Sequence, residues 1–245
     1  MDKKILYQTM PPARCQATWQ QVDVWQFPLH HQPNWALACL SQDELARANR
    51  FHFAKHRQRF AVARAGMRLI LAQYQDTSPD QLSFTTNAHG KPALTSTQFG
   101  FNLSHSGELA MLAVSKHPEI GVDVEYFSPR PFLGIAQHCF SDIEIQALTA
   151  LPAMSCMLGF FKIWSQKEAF IKAVGMGLAY PLKDFSVRIN PATDYAITDP
   201  LTGTSWDMHS FMPKPACCAA VCIPPTVSHI CKIPLTDIQQ LEAYL

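Results

Sequence analysis

The sequence predicts an α+β protein built from two similar halves, and three observations point there. A capping-box signature occurs twice, at Ser41 to Glu44 and at Ser141 to Glu144. Each box leads into helical sequence that gives way to a group of strand-like stretches, so the element order repeats. A faint echo joins His105-Ser106 with Ala113-Val114 to His209-Ser210 with Ala220-Val221. Two halves, 1–117 and 118–245, are therefore expected to meet near His117-Pro118. The pattern lacks the regular strand–helix alternation of a parallel α/β sheet.

Residues 20–27 alternate polar and apolar, which predicts a strand ended by Pro28 and Pro33. The first capping box starts a helix at Ser41. A longer helix is expected over 55–74, with Val62, Met67, Leu69, Ile70 and Leu71 near its buried side and Thr77-Ser78-Pro79 closing it. A strand at 83–85 leads to a turn at Asn87-Ala88-His89-Gly90, and strands are expected at 99–104, 109–115 and 120–126. Pro129 and Pro131 break the chain before the second box. A long helix over 154–174 should stop at Gly175-Met176-Gly177. Strands at 184–189, 205–212 and 216–223 and a short terminal helix capped near Thr236 complete the reading.

The chain has 245 residues, 48% hydrophobic and 16% charged, which suits a packed core and not a disordered chain. Lys and Arg number 20 and Asp and Glu 19, a net charge of +1. Whole-chain charge therefore gives no reason to expect a nucleic-acid partner. No apolar run approaches the roughly 18 residues of a membrane span. Charge opens the chain at Met1-Asp2-Lys3-Lys4 without an apolar stretch behind it, so no secretory leader is expected. Eight cysteines occur with no C-x-x-C pair. They read as buried thiols of a reduced, cytoplasmic protein, and Cys217, Cys218 and Cys222 on one strand point to different faces. The common phosphate-loop, dinucleotide-binding, nucleophile-elbow and zinc-protease signatures are absent from the sequence.

Three features could carry chemistry. From Arg47 to Arg68 stand seven of the chain's 20 cations, Arg47, Arg50, Lys55, Arg57, Arg59, Arg64 and Arg68, with His52 and His56. No acid lies between Glu44 and Asp76, so a bound polyanion would offset repulsion that nothing local compensates. The alternative is a solvated helix face. On the strand at 120–125, Asp123 and Glu125 share a face about 7 Å apart at ~3.3 Å per residue, as they would on any half-exposed strand. On the helix, Trp164, Glu168 and Lys172 recur every four residues and share a face within apolar surroundings. Asp123, Glu125 and Glu168 together form an oxygen-only set that suits Mg2+, with Mn2+ also possible, while Lys172 is placed to touch phosphate. The sum is phosphoryl-group chemistry on a multiply phosphorylated small molecule.

Read together, Gly90-Lys91-Pro92, Phe101-Asn102-Leu103-Ser104-His105-Ser106, Gly121-Val122-Asp123-Val124-Glu125 and Trp164 to Lys172 followed by Gly175-Met176-Gly177-Leu178 resemble the 4'-phosphopantetheinyl transferase superfamily of the monomeric Sfp type. The resemblance implies two α+β halves related by a pseudo-twofold, with the active site in the cleft between them. It implies transfer of the 4'-phosphopantetheine group of coenzyme A to a serine of an apo carrier protein. That carrier would be acidic, of the acyl, peptidyl or polyketide and lipid synthase kind, and adenosine 3',5'-bisphosphate would leave. By motif position, Asp123, Glu125 and Glu168 resemble the metal ligands, and Glu168 the general base. Lys172 would contact the pyrophosphate, and Asp123 also counts among the coenzyme A-binding residues. Gly90, Lys91 and Pro92 would lie along the adenine, and Ser104 and His105 against the phosphates. Arg47 resembles a contact to the 3'-phosphate, helped by Arg50 and Arg59. A pseudo-dimeric chain is expected to work as a monomer.

Two other readings of the residues predict different behaviour. A metal-dependent phosphodiesterase with the same acids would hydrolyse its substrate without a carrier. A nucleic-acid binder using 47–68 would show steep salt dependence and tolerate changes at Asp123 and Glu125.

Overall fold

The computed structural model describes residues 3–13, 15–95, 99–129, 131–189 and 194–245; Met1 and Asp2 of the charged start lie outside them. Two antiparallel cores repeat. In the first half, β2 (Gln21–Pro28) is followed by α1 (Gln42–Asn49) and α2 (Ala54–Gln75), then β5 (Gly100–Ser106) and β6 (Leu109–Ser115). In the second, β7 (Gly121–Tyr126) is followed by α3 (Phe132–Cys139), α4 (Asp142–Thr149) and α5 (Ala153–Val174), then β8 (Asp194–Thr198), β9 (Ser205–Lys214) and β10 (Cys217–Ile223). The pairings β2-β6-β5 and β7-β10-β9 match one another, all antiparallel. This is the α+β architecture of similar halves that the element order predicts.

The two sheets differ at one side. β1 (Lys4–Tyr7) and β11 (His229–Pro234) extend the first sheet beyond β2, both in parallel pairings. The last strand of the chain, with the terminal 3-10 helix Ile238–Tyr244, thus packs with the first half. That helix is capped by Asp237, next to the expected Thr236. β3 (Phe84–Thr86) and β4 (Pro92–Leu94) form a separate hairpin.

Both capping boxes form: Ser41 and Ser141 accept from the N–H of Glu44 and Glu144, whose carboxylates reach back to the cap N–H. α2 ends on Asp76 and α5 on Gly175, each in the left-handed conformation that lets the chain turn out of a helix. Val62, Met67, Leu69, Ile70 and Leu71 are buried between α2 and the first sheet, with Gly66 pressed on the Phe27 ring. α5 lies on the second sheet over Phe160, Phe161, Ile163, Phe170 and Ile171. Between the sheets a third apolar layer holds Val22, Val24, Val122, Val124, Val221 and Ile230. Cys217 faces that layer while Cys218 and Cys222 face α5, so these thiols do point to different faces.

One expected strand is absent. Residues 184–189 begin at the end of a 3-10 turn, Leu182–Asp184, and continue without strand pairing. Buried side chains take the backbone groups that a ladder would use. Lys167 Nζ donates to Leu182 O and Phe185 O, Gln166 Nε2 donates to Arg188 O, and Val187 N–H donates to Glu144 Oε1. The apolar alternation there reflects packing under α5 and not sheet membership.

Candidate active site

β5 and β7 are the edges at which the two sheets meet. β5 carries a polar residue at every second position, and strand alternation sends all three toward β7. Asn102 Oδ1 accepts from the N–H of Val122 at 2.8 Å. Ser104 Oγ donates to Asp123 Oδ1 at 2.8 Å. Ser106 Oγ accepts from the N–H of Tyr126 at 3.1 Å and donates to Glu125 Oε2 at 3.0 Å. Side chains thus satisfy a seam where two bare sheet edges would otherwise remain.

α5 closes over β7 at Gly121. A Cβ there would lie 2.0 Å from Ala169 O and 2.5 Å from Ala173 N, so only glycine lets helix and strand come this close. The approach brings Lys172 Nζ to 2.6 Å from Asp123 Oδ1, 3.0 Å from Ser104 Oγ and 3.4 Å from Val122 O. Two turns earlier, Trp164 Nε1 donates to Glu125 Oε1 at 3.2 Å. Glu168 lies between them on the same face. Its carboxyl is pushed up to about 7, by burial first and then by Asp123 and Glu125, with Lys172 opposing. Asp123 is 3% exposed, and its Oδ2 is buried without a hydrogen-bond partner. Asp123, Glu125, Glu168, Lys172 and Ser104 are therefore one electrostatic unit on the seam.

His105 stands beside this unit. Burial, then Lys172 and Arg59, hold its pKa below the usual value, with Asp123 opposing. Lys91 and Pro92 line a groove of about 540 Å³ between the hairpin, the start of β5 and the end of α5, with Phe99, Phe101, Ala173 and Val174. Gly90 holds the hairpin turn at a positive φ of 85°.

The expectation that nothing local offsets the basic segment is overturned. Glu44 pairs with Arg64 and with Arg68, each at 2.5 Å, and Glu108 pairs with Arg59 at 2.6 Å and Lys55 at 2.9 Å. Arg68 is 2% exposed and also donates to Pro79 O and Leu82 O, so it is part of the core. Glu44 precedes the segment and Glu108 is far along the chain, so neither partner lies within the segment's own sequence. Arg47 keeps an exposed guanidinium 5.2 Å from the centre of the Phe60 ring. Arg47, Arg50 and Arg57 have no acidic partner among the described residues.

Lys167, inside the helix motif, faces away from the site. It is fully buried and pairs with Glu144 at 2.9 Å. Asn102 and Ser106 belong to the same seam, and the polar period of two along 102–106 marks their shared face in the sequence. Among the described residues no group of three or more His, Cys, Asp or Glu side chains converges as a metal cluster. The donor chemistry nevertheless fits a hard cation. Asp123 Oδ2 is an orphaned buried oxygen, and Glu168 is raised by burial and then by two neighbouring carboxylates whose charge a cation would offset.

The sequence profile of the 4'-phosphopantetheinyl transferase superfamily matches residues 119–222, and that of the 4'-phosphopantetheinyl transferase N-terminal region matches 23–117. The chain is 37% identical over 212 residues to 4'-phosphopantetheinyl transferase HetI of Nostoc sp., covering 83% of this chain and 87% of that one. It is 33% identical over 194 residues to 4'-phosphopantetheinyl transferase psf-1 of Bacillus pumilus, covering 78% and 82%. It is 29% identical over 197 residues to 4'-phosphopantetheinyl transferase Sfp of Bacillus subtilis, covering 80% and 87%.

Proposed function

We propose a role for each of these side chains on one premise: the chain belongs to the 4'-phosphopantetheinyl transferase superfamily. It is an enzyme that transfers the 4'-phosphopantetheine group of coenzyme A to a serine of an apo carrier protein. The observation that carries the assignment of roles is the seam itself. One lysine of α5 bridges Ser104 and Asp123, and a carboxyl raised to about 7 stands beside them.

In this reading Glu168 takes the proton of the carrier serine as its Oγ attacks the β-phosphorus. In the metal-free chain burial, then the neighbouring acids, raise this carboxyl to about 7, against the pull of Lys172. The bond from the β-phosphorus to the bridging oxygen breaks, and adenosine 3',5'-bisphosphate leaves. Lys172, already aimed into the seam, stabilises the charge that grows on the departing phosphate. Ser104 and His105 hold phosphate oxygens, and Arg47, Arg50 and Arg59 face the 3'-phosphate. Gly90 and Pro92 set the turn along the adenine. Asp123, Glu125 and Glu168 would hold Mg2+ or Mn2+, which supplies positive charge to the pyrophosphate oxygens when bound.

The division at residue 117 is then functional. Residues 1–117 supply the nucleotide side and 118–245 the acids, within a working monomer. An acidic carrier matches the unpaired arginines of the first half. A reducing, cytoplasmic setting accords with eight free cysteines, six of them buried. No helix among the described residues is long and apolar enough to cross a membrane.

The test is the intact mass of an apo carrier protein incubated with the chain, coenzyme A and Mg2+. A gain of one phosphopantetheine arm, abolished by EDTA and by Glu168→Gln, is expected. Unchanged transfer by Glu168→Gln or Asp123→Ala would refute these roles.

A further inference from the structure

The Lys91 ammonium is enclosed by backbone oxygen. Its Nζ donates to Pro118 O at 3.3 Å, Ile120 O at 3.1 Å and Ala173 O at 3.1 Å. Burial holds its pKa down to about 8, as befits an ammonium surrounded by protein. From the same hairpin, Asn87 Nδ2 donates to Gly175 O at 2.8 Å. Asn87 Oδ1 also accepts from the N–H groups of His89 and Lys91, both at 2.9 Å, and so shapes the turn that presents Lys91.

A helix leaves its last carbonyls without partners inside the helix. At the end of α5 two of these, Ala173 O and Gly175 O, are taken by side chains of the other half. The packing there is close. A Cβ on Gly175 would come within 3.1 Å of Asn87 Nδ2 and 3.3 Å of Lys91 Cδ, and Gly175 also sits at a positive φ of 83°. The carbonyls that Lys91 joins are well chosen for leverage. Pro118 and Ile120 lead into β7, which carries Asp123. Ala173 directly follows Lys172. A single ammonium thus ties the start of one functional element to the end of the other.

We propose that Lys91, with Asn87, is a positioning residue that fixes the end of α5 against the start of β7 and so sets where Lys172 stands relative to Asp123. Its ammonium does this in place of holding the nucleotide; the aliphatic stem and Pro92 remain as the groove wall. The inference rests on the transferase reading. It predicts a change in kcat, whereas a nucleotide-contacting lysine would change affinity.

The experiment uses the full chain with an apo carrier protein, coenzyme A and Mg2+, and compares Lys91→Met, Lys91→Arg and Asn87→Ala with the wild type. It measures kcat and KM for coenzyme A, and the Kd of adenosine 3',5'-bisphosphate by calorimetry. Lys91→Met is expected to lower kcat about tenfold, with KM and Kd moving less than about twofold, because a small misplacement of a reacting group costs rate. Lys91→Arg, which still offers donors to the carbonyls, recovers much of that kcat. Asn87→Ala lowers kcat about threefold with KM unmoved, and carries the same test should Lys91→Met fail to fold. A tenfold rise in KM and Kd at unchanged kcat overturns the proposal, as does an active wild type matched by Lys91→Met. A wild type inactive on every carrier tried overturns the transferase reading, and this proposal with it.

Discussion

In the first half, the Ser41–Glu44 capping box starts the eight-residue α1 and the 22-residue α2 follows; in the second, Ser141–Glu144 starts the eight-residue α4 and the 22-residue α5 follows. In both, the box glutamate pairs with cations on the long helix: Glu44 with Arg64 and Arg68, Glu144 with Lys167. Yet of the two long helices only α5 lays an acid and a lysine, Glu168 and Lys172, on a polar seam. The sheet beneath each helix explains the difference. β2 is enclosed between β6 and β11, so a carboxylate on the buried side of α2 would face a closed apolar surface. β7 is an edge strand meeting another edge, and the helix over it looks onto a polar seam. The lesson is that the same helical unit meets polar groups where its sheet is left open.

That comparison can be broken in several ways. The largest expected effect is on the open seam. Asp123→Ala should lower transfer at least about a thousandfold, because it removes the anchor of Lys172 and a candidate metal ligand together. Arg64→Ala on the closed side should leave kcat within about threefold, since a structural ion pair makes no transition-state contact. Equal losses in a transfer assay would mean that the closed side also takes part in the chemistry.

The next effect separates the two glutamate pairs. Lys167 and Glu144 are 0% and 1% exposed, whereas Arg64 and Glu44 are 20% and 10% exposed. Lys167→Met should cost about 3–5 kcal/mol by leaving a buried carboxylate unpaired. Arg64→Met should cost about 1 kcal/mol, because Arg68 remains with Glu44 and solvent reaches the pair. Urea midpoints measure both, and a larger loss at Arg64 would reverse the assignment of the tighter pair.

Glu168 sharpens the contrast through pH. Its ordinary value is 4.5 and its folded value about 7. Between those limits the folded chain holds a proton that the unfolded chain has released. Stability of the metal-free protein therefore falls as pH rises through 4.5 to 7, and the whole penalty is present above 7. Glu168→Gln removes it, so the variant should gain roughly 2–3 kcal/mol over wild type at pH 8. Below the lower limit the two should match. Thermal melts at both ends test the sign, and a gain confined to low pH would refute a carboxyl raised by its place in the seam.

The smallest effect should be shared. Ser41→Ala and Ser141→Ala each remove one cap and should each cost about 1 kcal/mol. Chemical denaturation that finds one cap neutral would show that the repeated unit is held differently in the two halves.

The amino-acid sequence by itself determined what local geometry can encode. Both capping boxes, the α5 stop at Gly175 and the shared faces of Asp123 with Glu125 and of Trp164, Glu168 and Lys172 follow from periods of two and 3.6. The motif letters also identified the chain's resemblance, and the comparisons agree with it. What needed the tertiary structure is long-range. The partnering of Arg64 and Arg68 by Glu44, and of Lys55 and Arg59 by Glu108, depends on helices and loops meeting in space. The loss of a strand at 184–189 depends on Lys167, Gln166 and Glu144 reaching its backbone first. The insertion of β11 beside β2, and with it the choice of β7 as the open edge, joins residues some 200 positions apart. No local period records such a pairing, because burial and hydrogen bonding are satisfied by whichever groups the fold brings together.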